Sequence, residues 1–219
     1  MTLKEMRDLA RKRLGETTAA FWSDAEINGW INLGCKDIAF RSKCLPDTVT
    51  FTPTTDTAEY TLSTVVPDCI SITEVYFDDS ESDWGKLIPI TRTELDIEYI
   101  GWKNTDPGKP THYYWDAEED LFGFYPAPDS TESTTNAAEV HCCKTAPTLS
   151  SDSATSTLPE NLHEAVVDFV VATGFSTRGW VDKENDAWQK FFTRIKEYMV
   201  ERHRQREDES IISRNYRNV

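Results

Sequence analysis

The 219-residue chain is short of positive charge, most of all in its middle. It carries 23 lysines and arginines against 38 aspartates and glutamates, a formal net charge of −15. Residues 46–160 hold 5 basic side chains against 22 acidic ones, whereas residues 1–45 hold 8 against 6 and residues 161–219 hold 10 against 10. Sequence-independent grip on nucleic acid runs on Lys and Arg contacts to phosphate, so the balance excludes an unaided DNA-binding surface in that middle stretch. No apolar run reaches the roughly 18 residues a membrane-spanning helix needs, which excludes a helical membrane protein. The opening MTLKEMRDLARKRLG is amphipathic rather than signal-like. Five cysteines, an odd number in a chain of this length, do not make a disulfide scaffold. Catalytic signatures are missing too: there is no G-x-S-x-G, no G-x-x-x-x-G-K-[ST] and no H-E-x-x-H. The expectation is a soluble acidic globular protein that is not an enzyme and carries no cofactor.

Isolated residues that invite a chemical reading do not assemble into a site. His141-Cys142-Cys143 places two thiols on opposite faces of a strand, and Cys35, Cys44 and Cys69 supply no second Cys-x-x-Cys pair, so no metal is expected. The run Asp78-Asp79-Ser80-Glu81-Ser82-Asp83 lacks the mid-loop Gly and distal Glu of an EF-hand and reads as a solvated turn. Glu118-Glu119 in a hairpin turn offers no cleft for paired-carboxylate hydrolysis. Asp168 stands out because it interrupts an apolar helix. A buried carboxylate must be paired, and Arg7 or Arg11 on the first helix are the expected partners in a structural ion pair.

What the chain does have is a change of hydrophobic period. Leu3, Met6, Ala10 and Leu14 make a helical stripe that Gly15 stops. Ser23-Asp24-Ala25-Glu26 is a capping-box pattern opening a second helix, with Ile27, Trp30, Ile31, Cys35 and Ile38 on its apolar face. From residue 47 the period is two: Val49 and Phe51, Tyr60 and Leu62, then Ile70 to Phe77 and Lys86 to Thr91 read as strands. A short helix follows from Thr91 to Ile100. Residues 111–115 and 121–125 bracket an acidic hairpin turn, and 137–145 form a last strand. Residues 127–136 and 146–157 read as loops rich in Pro, Ser, Thr and Asp. Leu158-Pro159-Glu160 opens a third helix, apolar almost all round through Val171, and Asp182 is placed to cap a fourth with Trp188, Phe191, Phe192, Ile195, Tyr198 and Met199 in one stripe.

The expected fold class is α+β: a four-helix bundle from residues 1–45 and 158–206, a β-rich insertion at 46–157, and an extended C-terminal tail at 207–219. In that tail Ile211, Ile212, Arg214, Tyr216 and Arg217 combine apolar anchors with arginine, the composition of a segment that orders on a partner. Trp84, Trp102, Tyr113, Tyr114 and Trp115 are many large aromatics for a small insertion. They are either subunit-interface residues or the insertion's own core.

These motifs, taken in order, resemble the tailed-bacteriophage head-to-tail connector adaptor proteins. The resemblance is carried by Leu14-Gly15-Glu16 with Phe21-Trp22-Ser23-Asp24-Ala25-Glu26-Ile27 and Trp30-Ile31-Asn32, by Tyr60-Thr61-Leu62 with Val66-Pro67-Asp68-Cys69-Ile70 and Ile72-Thr73-Glu74-Val75-Tyr76, by Gly108–Tyr114 and Phe122–Pro128, and by Leu158-Pro159-Glu160 with His163–Asp168. It covers residues 3 to 200 and leaves 207–219 unmatched. It implies a structural virion protein of the neck, assembled in the host cytoplasm: a homo-oligomeric ring of twelve copies, docked beneath the portal protein, carrying tail or nozzle proteins. Genomic DNA would pass through without specific binding, and no membrane is involved. It also implies that the C-terminal segment runs along the portal. Another neck role, such as a stopper or tail-completion protein, and a carbohydrate-binding module are the alternatives. The module would bind sugar as a monomer and lose nothing when 207–219 is deleted.

Overall fold

Thr2 and Ser23 open the first two helices in the same way. Each side-chain hydroxyl accepts the N–H of the third helical residue, Glu5 and Glu26, whose carboxylate accepts the cap's own N–H at 2.8 Å. The computed structural model describes residues 1–16, 18–19, 21–78, 84–131 and 137–216, with the backbone alone from 206 onward. In chain order the elements are α1 (Leu3–Leu14), α2 (Asp24–Ser42), β1 (Pro46–Phe51), β2 (Glu59–Thr61), α3 (Leu62–Val65), β3 (Cys69–Asp78), β4 (Trp84–Lys86), β5 (Ile88–Pro89), α4 (Arg92–Glu98), β6 (His112–Asp116), β7 (Leu121–Tyr125), β8 (Ala138–Lys144), α5 (His163–Thr177) and α6 (Val181–Tyr216). They divide into two units, Met1–Leu45 with Ala146–Val219, and Pro46–Thr145.

The first unit is helical. Helix α5 supplies its centre, with Ala165 to Ala172 buried throughout, and α1, α2 and α6 each pack against it. The contacts are close because glycines sit where helices meet: a Cβ at Gly34 would lie 3.0 Å from the Phe169 ring, and one at Gly174 would lie 2.7 Å from Leu14. Gly15, at φ +80°, takes the left-handed conformation that ends α1. The third expected helix begins later than Leu158: Pro159 is extended, Glu160–Leu162 form a 3-10 turn, and α5 starts at His163.

Two boundaries differ from expectation. Residues 146–157 were expected in the insertion but are hydrogen-bonded to the helical unit. Leu3 N–H donates to the Ala154 carbonyl at 2.9 Å, Asn32 exchanges two bonds with the Leu149 backbone, and Arg7 grips Asp152 at 2.9 and 3.0 Å. The expected extended tail is also corrected. Helix α6 runs 36 residues to Tyr216, about 54 Å at 1.5 Å per residue. Its apolar stripe lapses after Met199, but Arg, Gln and Glu are strong helix formers, so the backbone continues without one.

The second unit is a pair of four-stranded sheets, ordered β1-β8-β3-β4 and β2-β7-β6-β5, antiparallel except for β5 on β6. They enclose one core of Val75, Phe77, Val140, Phe122 and Phe124, with Phe51 stacked 6.0 Å from Phe124. The outer face of the second sheet has its own small core of Leu95, Trp102 and Tyr114, covered by α4 and the 3-10 turn Trp102–Asn104.

Candidate functional site

The charge map separates the units. By sequence the helical unit holds 18 basic and 18 acidic side chains, and the β unit 5 basic and 20 acidic, so the whole net charge of −15 belongs to the latter. With no catalytic cluster expected from the sequence, the candidate site is the surface of each unit.

Asp168 is paired, but not with Arg7 or Arg11. Its buried carboxylate accepts from Arg13 Nη1 at 2.7 Å and from Arg194 Nε at 2.8 Å, and both arginines also reach Glu164. Burial pushes the Asp168 carboxyl up, while Arg194 and Arg13 pull it down. Arg7 instead bonds Asp152, with Asn28 and Asp24 beside it, and its guanidinium holds the Asp152 carboxyl below the usual range. Arg11 takes Glu16 at 3.1 Å and Asp24 at 2.6 Å. The reason is helical phase. Arg7 and Arg11 share a stripe turned toward the start of α2, whereas Arg13 lies on a neighbouring row that meets α5.

Two features of this unit carried no expectation. His163 is buried, its Nε2–H donating to the Leu158 carbonyl at 2.9 Å, which leaves Nδ1 to accept from the Met1 ammonium at 2.8 Å. Burial and that ammonium lower its pKa. Arg178 donates to Glu16 at 3.2 Å, with its guanidinium 4.3 Å above the Trp22 ring and 4.4 Å above Phe21. Both residues lie in sequence next to recognisable signals, but a lone Arg or His carries no spacing pattern.

The five aromatics proposed for an interface part company. Tyr113 and Tyr114, adjacent on β6, point to opposite faces, and each enters a core; Trp102 packs edge-on against Tyr114 at 5.6 Å and donates to Asp96. Trp115 is half-buried against the main core. Trp102, Tyr113 and Tyr114 belong to the unit's own interior because both faces of the second sheet are covered, and that corrects the interface reading for those three. Trp84, on edge strand β4, is exposed at 47% and remains available. A sugar-stacking surface loses the same residues.

Cys142 and Cys143 are both buried, and His141 Nε2 lies 2.7 Å from Glu139. Burial raises the Cys35 thiol to about 11. Among the described residues no group of three or more His, Cys, Asp or Glu side chains is placed to hold a metal ion. Of the acidic run, Asp79 to Asp83 lie outside the described residues. At the hairpin, Glu119 pairs with Arg92 at 2.6 Å and Asp120 accepts from Ser63, so two of its acids are structural. Ile211, Ile212, Arg214 and Tyr216 lie on the α6 backbone, and Arg217 falls outside the described residues.

A family model described as SU10 adaptor protein matches residues 1–217. No curated protein matches the chain.

Proposed function

The chain belongs to the SU10 adaptor protein family, a family of phage head–tail adaptors, and on that premise we propose that it forms a ring beneath the portal that joins capsid to tail and leaves a channel for DNA. It is a bacteriophage adaptor and a virion component. The observation that carries the reading is the extent of the match, which takes in both units and all of α6. The charge map supports the channel. Twelve copies would carry a formal charge of about −180, a wall that repels DNA phosphate within the roughly 8 Å that physiological salt leaves unscreened. We assign the acidic β unit to the lumen or the tail-facing surface.

The end of α6 is the proposed portal contact. Residues four apart share a helix face, and Ile212 and Tyr216 have that spacing on the α6 backbone, so we assign them as the anchors of a helix laid in a groove, with Ile211 and Arg214 on the same backbone and Arg217 next in the sequence. Tail or nozzle proteins would hold the opposite side. Negative-stain microscopy of the purified chain, with and without portal rings, tests the reading. An added ring of density beneath the portal, lost when 207–219 is deleted, is the expected result. A monomer that ignores portal rings overturns it.

A further inference from the structure

Two surfaces complement each other in charge and in apolar character, one in each unit. On the helical unit a cleft of about 540 Å³ opens between α5 and α6, with an apolar floor of Val171, Phe175 and Ala187. Its cations are mostly spoken for: Arg13 and Arg194 hold Asp168 and Glu164, and Lys190 holds Asp186 at 2.6 Å. Lys183 differs. Its ammonium lies 4.5 Å from the Trp180 ring and 5.6 Å from the Phe175 ring, with no carboxylate in salt-bridge range among the described residues. The cleft therefore presents one uncompensated cation against an aromatic wall, beside Val181, exposed at 60%.

The second surface is the end of α4 on the β unit. Ile97 is 69% exposed and Ile100 92%, an outlay of aliphatic surface in the most acidic part of the chain. Between them stands Glu98, exposed and without a hydrogen bond or ion pair among the described residues. The α4 capping box and the Asp96–Trp102 bond fix the segment, so the two isoleucines and the carboxylate project from an ordered turn. An aliphatic knob bearing one unpaired anion matches an apolar cleft bearing one unpaired cation. Seating the knob would take both isoleucine side chains out of water.

We propose that the α4 knob of one copy seats in the α5–α6 cleft of a second copy, Glu98 meeting Lys183. The assignment rests on the ring reading above. A closed ring needs two different, complementary patches on every subunit, joined head to tail, and this pair supplies them.

The test is a charge exchange in the full chain, Glu98→Lys, Lys183→Glu and both together, with Ile100→Asp as an apolar arm. Mass photometry, on the chain alone and on portal rings, gives the concentration at which half the copies are in rings, and circular dichroism confirms that each variant folds. Each single change raises that concentration roughly tenfold or more, and the exchanged pair returns it to within about threefold of the parent. Singles that assemble like the parent, or a folded exchanged pair that does not recover, overturn the interface and leave the ring standing. Singles that shift only the melting of a monomer place the knob in its own chain's cleft and overturn the proposal too. A parent that forms no ring under either condition removes the ring reading itself.

Discussion

Substituting Gly123 by alanine tests whether the β unit's tyrosines belong to its interior. Gly123 lies opposite Tyr114 in the β6–β7 register, and an alanine Cβ there would stand 2.3 Å from Tyr114 Cζ and 2.6 Å from Oη. Ordinary contact is 3.4–4 Å, so the ring would have to move by more than an ångström. Tyr114 is 1% exposed, held by Trp102 on one side and by a bond from its hydroxyl to Glu59, so it has nowhere to go without opening that small core. Overpacking of this kind costs about 1–3 kcal/mol, and loss of the hydroxyl's bond adds about 1 kcal/mol. A total near 3 kcal/mol lowers the melting temperature by roughly 6–12 °C in a chain of this size. Thermal melts followed by near-ultraviolet circular dichroism and by Trp102 emission read the loss. A second change, Tyr114→Leu, empties the space the new methyl needs, so the two substitutions together should cost less than their sum by about 1 kcal/mol or more. A Gly123→Ala protein that melts within a degree of the parent would refute the packing argument, and with it the placement of Tyr114 in an interior.

Two further outcomes follow from the helical unit. Asp168→Asn keeps the volume but strips the anion from between Arg13 and Arg194; because both arginines are about a third exposed and can hydrate, the expected loss is about 2 kcal/mol rather than the 3–5 typical of a fully buried pair, measurable by urea unfolding. His163 is held neutral by burial, with its folded pKa below the unfolded value of 6.5. The unfolded chain therefore takes up the proton first, so stability falls as pH drops below about 6.5, and His163→Gln should flatten the slope of unfolding free energy between pH 7.5 and 5.5.

The division into helical ends and a sheet-rich middle was legible because the hydrophobic period switches from 3.6 to 2 at residue 47 and back after 158. The caps were legible for the same kind of reason: Ser23 with Glu26, and Gly15 after Leu14, are local signals that no tertiary contact overrides. Contacts between faces were not. Asp168 plainly needed a cation, but a sequence shows the phase of each helix and not which rows meet, so Arg13 and Arg194 could not be told from Arg7 and Arg11. Residues 146–157 hide for another reason: they are tied to residues 1–4 largely by backbone hydrogen bonds, which leave no trace in side-chain pattern. In β6 the alternation correctly separates Tyr113 from Tyr114, yet nothing in it says that the other sheet covers Tyr113 and α4 covers Tyr114, which makes both of them interior. Beyond Arg206 the far end of α6 is not legible because no apolar residue stands between Val200 and Ile211, and helix propensity alone carries the backbone there.

The helical unit is assembled from the two ends of the chain, and this fixes an order on the ribosome. Helix α2 is complete at Ser42, while α5 is complete only at Thr177, 135 residues later. At about 5–20 residues per second, α1 and α2 wait roughly 7–27 seconds before the α5 surface against which Leu14 and Gly34 pack has been made. The β strands emerge in that interval, and all their pairing partners lie within Pro46–Thr145. The inserted unit can therefore finish first on the nascent chain, and the helices close only after the sheets are made.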